Sequence, residues 1–269
     1  MPEGDTIHRI AAQLGPRLVG QTIERVTTQG LVRDLAGQRV TSVAAHGKHL
    51  VIELANGTYL RAHLGMYGRQ RTYDRRDGDA MIAKMSPGRL TLAITTADTV
   101  ALWVGARTIE ISDRRAPLHG RAIASLGQDV LGDAFDPELA ATRAAAAGNR
   151  TIADVVLDQR IAAGIGNVYK SEVLFLEKVS PLANVAALDD ATLERVLKRA
   201  RDLMRRNLGK GARRTTFGTF VGQNYFVYER SGQHCLKCDT KIRMLRQGTL
   251  QRSTYFCPEC QGVTQPEAR

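Results

Sequence analysis

Cysteine, lysine and long apolar runs are all scarce in this chain of 269 residues. No apolar run approaches the roughly 18 to 20 residues that span a bilayer, which argues against a membrane protein. The N-terminal segment also lacks the basic start and the apolar stretch of a secretory signal. These absences predict a cytoplasmic protein with no membrane partner. The 43% hydrophobic content is ordinary and allows a packed core.

The few cysteines are concentrated in the last 35 residues. A disulfide framework would be unusual in a cytosolic chain. Cys235 and Cys238 form one Cys-x-x-Cys pair, Cys257 and Cys260 form another, and 18 residues separate the pairs. This spacing is typical of a tetrahedral four-thiolate zinc site. It predicts one structural Zn²⁺ ion, with redox-active pairs as the alternative.

Acidic residues are also outnumbered, since 27 of them face 38 basic residues and the net charge is +11. Such a surface attracts polyanions. Most of the basic residues are arginines, which favour bidentate contacts with phosphate. The charge indicates nucleic-acid binding, although interspersed charges of both signs also fit a solvated, arginine-rich surface.

The pattern of apolar residues changes along the chain. Up to about residue 117 it favours antiparallel strands, and a helix is expected at 5–14. The predicted strands are 49–54, 58–64, 89–94, 100–104 and 108–112. From Asp136 to about Asn207 the pattern is helical, and Asp189 or Asp190 is the expected N-cap of the last helix. Residues 209–224 have the composition of a flexible basic linker. The fold class is therefore α+β multidomain, with a β-sandwich first.

The chain starts Met1-Pro2-Glu3, and removal of Met1 would expose the secondary amine of Pro2. An α-amino group has a pKa of about 7.7–8.0 against about 10.4 for lysine, so more of it is neutral and able to attack a sugar carbon. A secondary amine gives a charged iminium directly, which is an electron sink for elimination. Glu3 could protonate the sugar ring oxygen. Many proteins begin Met-Pro, so an ordinary N-terminus also fits.

Four other residues are candidates for nucleic-acid contacts. Asn167 follows two glycines at the start of a helix, where a phosphate can approach free backbone N–H groups. Lys48 could bind a phosphate or donate a proton. Met66 could be an apolar wedge between base steps, and Arg252 could hold a phosphate. A tight turn, solvated cations and a core methionine are the ordinary explanations.

Taken together and in order, these motifs resemble the formamidopyrimidine-DNA glycosylase and endonuclease VIII family. The resemblance runs from Pro2 to about Gln261. It rests on Pro2-Glu3-Gly4, Gly47-Lys48-His49-Leu50, His63-Leu64-Gly65-Met66, Asp113-Arg114-Arg115, Leu157-Asp158-Gln159 followed by GIGNVYKSEVLF, and the four cysteines with GTLQRSTYFCPECQ.

The resemblance implies an N-terminal catalytic β-sandwich over 2–117, a helix–two-turn–helix domain over 125–210 and a zinc finger over 225–262. Damaged double-stranded DNA would bind in the cleft between the domains. The implied activity is that of a bifunctional DNA glycosylase and abasic-site lyase of base excision repair. We expect a monomer in the bacterial cytoplasm, associated with the nucleoid.

The resemblance also implies roles for single residues. Pro2 would form the Schiff base and Glu3 would be the proton donor for base excision. Lys48 would donate the proton for β-elimination and Arg252 the proton for δ-elimination. Asn167 would hold a phosphate together with Arg252, beside a flipped nucleotide.

Three departures from the family pattern stand out: the first bears on proton handling during elimination, and the other two favour the endonuclease VIII branch, with oxidised pyrimidines as substrates. Thr6 stands where the family often has Glu, and Ala116 where 8-oxoguanine enzymes carry Phe, so Met66 and Arg114 would fill the gap in the duplex. The segment 216–227 is also short for a loop that covers 8-oxoguanine.

Other assignments remain open on the sequence. Leu64-Gly65-Met66 is more typical of the purine-directed branch, so an 8-oxoguanine and formamidopyrimidine glycosylase of the same fold is the first alternative. A non-catalytic zinc protein that recognises damaged DNA is the second, and an RNA-binding zinc-ribbon protein is the third.

Overall fold

The chain divides into two compact units, Met1–Ser125 and Leu126–Arg269. The structure, a computed structural model, describes residues 1–28, 34–86, 88–113 and 123–263. The second unit contains both the segment predicted as a helical domain and the segment predicted as a zinc finger. The narrower boundaries at 2–117, 125–210 and 225–262 stay predictions.

The first unit is an antiparallel β-sandwich with two helices. Its elements are α1 (Gly4–Leu18), β1 (Arg25–Thr28), β2 (Val40–His46), β3 (His49–Leu54), β4 (Thr58–His63), β5 (Arg69–Asp74), α2 (Arg75–Ala83), β6 (Leu90–Thr95), β7 (Thr99–Val104) and β8 (Thr108–Asp113). One sheet has the order β2-β3-β4-β8 and the other the order β1-β6-β7-β5. The predicted sandwich is therefore confirmed.

Alternating side chains explain how the two sheets meet. Ile52 and Leu60 face each other in the β3–β4 register, and Leu92 and Trp103 do so in the β6–β7 register. All four are buried in one core, together with the apolar face of α1. Each sheet thus buries the face on which its apolar residues alternate.

The sequence predictions in this unit were incomplete. The five predicted strands are present within a residue or two, and the predicted helix at 5–14 extends to Leu18 through Pro16. The strands β1, β2 and β5 and the helix α2 were not predicted. The polar sequences of β5 and α2 have no clear period, and these elements form against a neighbouring sheet.

The second unit is mainly helical and ends in a hairpin. Its elements are β9 (Gln128–Asp129), α3 (Pro137–Ala145), α4 (Ile152–Leu157), β10 (Ala162–Ala163), α5 (Asn167–Leu176), a 3₁₀ turn (Val185–Ala187), α6 (Asp190–Arg206), β11 (Arg243–Gln247) and β12 (Arg252–Phe256). Helices α3 to α6 share one apolar core. Asp189 is the N-cap of α6, because its carboxylate accepts the N–H of Thr192 at 2.7 Å. Throughout the described ranges, no helix is both long and apolar enough to cross a membrane.

Candidate functional site

The N-terminus places a buried carboxyl group directly after Pro2. Glu3 is completely buried, and its carbonyl accepts the N–H groups of Thr6 at 2.9 Å and Ile7 at 3.2 Å, which starts α1. Ile7 and Leu14 anchor that helix in the sandwich core. Pro2 is half-buried. The two residues therefore sit at the start of a helix whose position is set by core packing.

Lys48 lies at the tip of the β2–β3 hairpin. His46 and His49 pair across this hairpin, so Gly47 and Lys48 form its turn, and Gly47 has a φ of +56°. Such two-residue turns favour glycine because its backbone adopts positive φ without strain. The hairpin register thus fixes where the Lys48 side chain begins.

Two neutral histidines lie beside Lys48. His49 and His63 are paired in the β3–β4 register, and their ring centroids are 4.9 Å apart. Burial lowers the pKa of His49 to about 3, with His63 and Arg61 adding to the effect. The pKa of His63 is lowered to about 4, mainly by burial and then by the positive charges of Lys48 and Arg107. Near neutral pH, Lys48 therefore has uncharged imidazoles as neighbours.

Arg61 determines the tautomer of His49. Its Nη1 lies 2.8 Å from His49 Nδ1, and its other nitrogens bind the Glu110 carboxylate at 2.6 and 3.1 Å. Since an arginine N–H can only donate, His49 Nδ1 accepts and its ring proton is on Nε2. No local sequence pattern indicates this network, because the three residues are on three different strands.

Met66 lies in the loop that follows β4. His63 Nδ1 accepts the N–H of Gly65 at 3.2 Å, and the N–H of Gly68 donates to Leu64 O at 3.1 Å, which closes the loop. Met66 is 50% exposed, so it is a surface side chain and not a core residue. Since His63 is paired with His49, Met66 and Lys48 lie at the same end of the first sheet.

In the second unit, Gln159 holds the glycine loop that precedes Asn167. Its amide nitrogen donates to Ile165 O at 3.0 Å, and its amide oxygen accepts the N–H of Gly164 at 2.9 Å. Gly164 has a φ of +113°, which explains the need for glycine there. Asn167 is the first residue of α5, and within the described ranges its side-chain amide has no hydrogen-bond partner.

Helix α5 is joined to the C-terminal hairpin by buried polar contacts. Lys170 is fully buried, and its Nζ donates to Ser253 O at 2.9 Å and to Thr254 Oγ1 at 2.7 Å. The N–H of Tyr255 donates to Ser171 Oγ at 3.2 Å. The first turn of α5, which carries Asn167, therefore lies against the start of β12.

Arg252 is the first residue of β12, next to Ser253. Its guanidinium has no hydrogen bond or ion pair with the residues that the structure describes. An unpaired guanidinium near an unpaired amide and the N-terminus of a helix is a suitable arrangement for binding a phosphate.

The four cysteines form a metal-binding group. Their sulfur atoms all lie within 4.8 Å of one another, and Cys238 Sγ is 3.4 Å from both Cys257 Sγ and Cys260 Sγ. Four thiolates this close fit around one Zn²⁺ at about 2.3 Å each. The N–H groups of Lys237 and Cys260 each point at a cysteine sulfur at 3.4 Å, which suits thiolates. The predicted zinc site is therefore confirmed.

Comparisons with known proteins agree with this geometry. The formamidopyrimidine-DNA glycosylase N-terminal domain matches residues 1–115, its H2TH domain matches 126–219, and a zinc finger found in FPG and IleRS matches 232–263. The DNA-(apurinic or apyrimidinic site) lyase Nei2 of Mycolicibacterium smegmatis is 38% identical, covering 97% of this chain and 99% of the relative.

The chain belongs to the formamidopyrimidine-DNA glycosylase and endonuclease VIII family.

Two further relatives have the same extent. A probable endonuclease 8 2 of Streptomyces coelicolor is 36% identical over 99% of this chain and 96% of its own length. The crystal structure of Lactococcus lactis formamidopyrimidine-DNA glycosylase, non-covalently bound to DNA with an abasic site, has a TM-score of 0.79. At 22% identity, over 96% of this chain and 99% of that one, this structure supports the fold alone.

One predicted site residue of this family member, Arg114, lies outside the described residues, as does Ala116. The other ten are described. The structure shows Lys48 and Met66 at one end of a sheet, Asn167 and Arg252 at the junction of α5 and β12, and the four cysteines in one cluster. Pro2 and Glu3 lie together at the start of α1.

The sequence analysis missed Glu172, which is completely buried on α5. Its carboxylate accepts the N–H groups of Phe226 at 2.9 Å and of Val227 and Tyr228 at 2.8 Å, and also the hydroxyl of Thr215. Burial raises the pKa of Glu172, and the hydrogen bonds that it accepts oppose that rise. One side chain thus holds both ends of the segment that connects α6 to the zinc finger.

The segment 209–224, which the sequence predicts as a flexible linker, has defined hydrogen-bond partners, and its flexibility stays a prediction. The segment has no helix or strand, but the N–H of Thr215 donates to Asn224 O at 2.7 Å and closes it into a loop. Asn207 holds the preceding turn, because its side chain bonds both the N–H and the carbonyl of Arg214. The Gly- and Thr-rich composition did not reveal these partners, which are distant in sequence.

Proposed function

We propose that this family member is a bifunctional DNA glycosylase and abasic-site lyase of base excision repair, with the amine of Pro2 as its nucleophile. The names of its relatives support the activity. The observation that supports the nucleophile is the completely buried Glu3, held on α1 directly after Pro2. Loss of Met1 would leave a secondary amine at this position, beside a carboxyl group whose place is set by the core.

The proposed chemistry begins with attack of the neutral Pro2 nitrogen on C1′ of a damaged nucleotide. The C1′–base bond breaks, and Glu3 supplies the proton that opens the sugar ring at its oxygen. The base leaves with the electrons of the C1′–base bond and takes the proton that the Pro2 nitrogen releases after its attack. The nitrogen lone pair then completes a C1′ iminium ion as the ring oxygen departs. The iminium then accepts the electrons released when a C2′ proton is removed, and the 3′ phosphate departs by β-elimination.

Lys48 and Arg252 are proposed as proton donors in the two elimination steps. Lys48 lies beside His49 and His63, which are uncharged near neutral pH and are therefore poor proton donors. Arg252 and Asn167 have polar groups without partners among the described residues, and both would bind a phosphate at the N-terminus of α5. Met66, which is 50% exposed, would fill the space left by the flipped base.

The nucleophile is tested by borohydride trapping on DNA with an abasic site. The mature protein should form a covalent adduct, and a form that retains Met1 should form none, because the Pro2 nitrogen is then an amide. Pro2→Gly keeps a terminal amine and should retain some trapping. Normal trapping by the Met1-retaining form would assign the nucleophile to another residue, with Lys48 first.

Glu3→Gln separates the two activities. Excision of a damaged base should fall much more than cleavage of a ready-made abasic site, since only the first needs Glu3 as proton donor. Equal losses on both substrates would contradict this role.

We further propose that oxidised pyrimidines such as thymine glycol are preferred over 8-oxoguanine paired with cytosine. Flipping costs a few kcal/mol, and least for bases that stack or pair poorly. Thymine glycol has lost its planarity, whereas 8-oxoguanine opposite cytosine stacks and pairs well. The loop closed at Thr215 and Asn224 is short, so it offers little surface to cover a purine. The endonuclease 8 names of the relatives support the same branch.

The measurement is single-turnover excision from matched duplexes that differ only in the lesion. Faster release of 8-oxoguanine than of thymine glycol would reverse the preference, and Leu64-Gly65-Met66 is the observation that favours this second candidate. The protein is proposed to act as a monomer on damaged duplex DNA at the bacterial nucleoid. Size-exclusion chromatography with light scattering tests the monomer.

A further inference from the structure

The first unit has a cavity on the outer face of its second sheet. Side chains alternate along β5 and β7, so Arg71 and Leu102 share one face through their register, as do Tyr73 and Val100. Trp103 points to the opposite face and is buried in the sandwich core. The outer face therefore combines arginines from β5 with aliphatic side chains from β7.

Helix α2 covers only part of this face. A Cβ on Gly78 would lie 2.3 Å from Val100 Cβ, so the helix rests directly on the sheet at that point. Beyond this contact, Leu102 and Val104 are among the residues that line a cavity of about 600 Å³. We call this cavity the basic basin. Its volume lies within the range of about 300 to 1,000 Å³ that small-molecule sites occupy.

The basic basin has an excess of positive charge. Arg69, Arg71, Lys84 and Arg89 line it and are exposed, and among the described residues that line it none is acidic. Within the described part of the chain, none of these four side chains has a hydrogen bond or an ion pair. Four close cations without counter-charges repel one another, and an anion in the basin would relieve that repulsion.

Neighbouring arginines differ in this respect. Arg75, the first residue of α2, forms ion pairs with Asp79 at 2.7 Å and with Glu24 at 2.5 Å. Arg25 forms an ion pair with Asp79 at 2.5 Å. Asp79 and Glu24 are thus engaged with arginines that do not line the basin.

The other lining residues are apolar or aromatic. Leu102 forms the floor and Met81 and Met85 form a wall. Tyr67 also lines the basin and is 84% exposed. Proteins that bind single-stranded nucleic acid combine cations for the phosphates with aromatic rings for the bases. A duplex hides the faces of its bases, so this combination suits unpaired nucleotides.

We propose that the basic basin is a second nucleic-acid site, which binds unpaired nucleotides of a DNA strand. The cations bind the phosphates, and a base stacks on Tyr67 above the aliphatic floor. Because Tyr67 directly follows Met66, a strand at Met66 has a short path to the basin. The inference rests on the proposed function only in taking DNA as the polymer.

The test compares the full-length protein with the double variant Arg71→Gln/Lys84→Gln. Both positions are exposed, so folding should not change. Affinity for a labelled dT10 strand, measured by fluorescence anisotropy, should fall about tenfold. The slope of log K against log salt should become shallower by about 1.4, since each single-strand phosphate contact contributes about 0.7. The KM for excision from a blunt lesion duplex should stay within twofold.

The matched control is Arg39→Gln/Arg76→Gln, which removes the same charge from exposed positions of the first unit outside the basin. It should change dT10 affinity less than twofold. An equal loss in the control, or an equal loss on the blunt duplex, would overturn the proposal, because the effect would then be non-specific charge. The binding measurement does not need catalysis, so its result is independent of whether the lesion is excised.

Competition identifies the ligand. Inorganic phosphate should displace dT10 from the wild type less well than the same concentration of dTMP, because it cannot stack on Tyr67. Equal displacement would reduce the basin to a simple anion site and overturn the proposal. If dTMP alone bound as tightly as dT10, the site would belong to free nucleotides and not to a strand.

Discussion

The two units hold their proposed DNA-contacting residues in different ways. In the first unit, Lys48 lies in a hairpin turn whose place follows from strand register, and Met66 lies in the loop that connects β4 of one sheet to β5 of the other. In the second, Asn167 and Arg252 are brought together by side-chain bonds from α5, through Lys170 to the hairpin and through Glu172 to the loop. The backbone hydrogen bonds of a β-sheet are shared among many residues, whereas Lys170 and Glu172 each make several hydrogen bonds from one buried side chain. Single substitutions should therefore be more damaging in the second unit.

The largest effect is expected at the zinc site. Cys257→Ser removes one thiolate, and the free energy of zinc binding is also folding free energy for such modules. The hairpin that carries Arg252 should loosen, zinc content should fall well below one per chain, and DNA affinity should drop at least tenfold. Elemental analysis and anisotropy are the measurements. Glu259→Gln, an exposed change between two ligands, should keep one zinc; active protein without zinc would refute the site.

Glu172→Gln should be the most damaging substitution outside the metal site. The amide keeps the shape but presents N–H groups to backbone donors, and breaking a buried charged network costs roughly 3–5 kcal/mol. Urea denaturation measures this loss. Glu194→Gln is the control, since Glu194 forms a surface ion pair with Lys198 one helical turn away and should cost less than about 1 kcal/mol. Similar values for both would mean that Glu172 does not hold the loop.

The pH dependence of stability should have opposite signs at the two networks. The pKa values of His49 and His63 are lowered to about 3 and about 4, so the unfolded chain binds more protons below about pH 6.5. The stabilisation that comes from burying the two histidines in their neutral form is complete above about pH 6.5 and is lost as the pH falls towards 4. The raised pKa of Glu172 acts in reverse, and its contribution declines as the pH rises above its ordinary value.

Thermal unfolding between pH 4 and 7 separates these contributions. His63→Asn keeps an acceptor for Gly65 and should make the loss of Tm in acid less steep. Glu172→Gln should make the rise of Tm with pH steeper. If neither variant altered the slope, the two networks would not control the pH response.

The smallest effect is expected at the cap of α6. Asp189→Ala should cost about 1 kcal/mol because it removes the acceptor for Thr192. Asp190→Ala changes only the charge in the first turn and should cost a few tenths of a kcal/mol. A cost above about 2 kcal/mol for the cap would show that α6 depends on local bonds more than on its packed face.

Much of the site was predictable from local patterns. The cysteine spacing indicated zinc and the ordered motifs indicated the family, whereas the roles of Pro2, Glu3, Lys48 and Asn167 stay predictions. Glu172 and Lys170 were not predicted, because a charged residue inside a helical pattern is normally exposed. Their partners are 43 to 84 residues away, so no local signal connects them.

The sequence by itself determined the strands with strict alternation, the helices with an apolar face, the zinc ligands and the family. These depend on period, spacing and short motifs, which are local properties of a chain. Tertiary structure alone decided that polar β5 and α2 are ordered, that His49 and His63 are neutral and that the Gly- and Thr-rich segment is a closed loop. Each of these follows from burial or from a distant hydrogen-bond partner, and both exist only after the chain has folded.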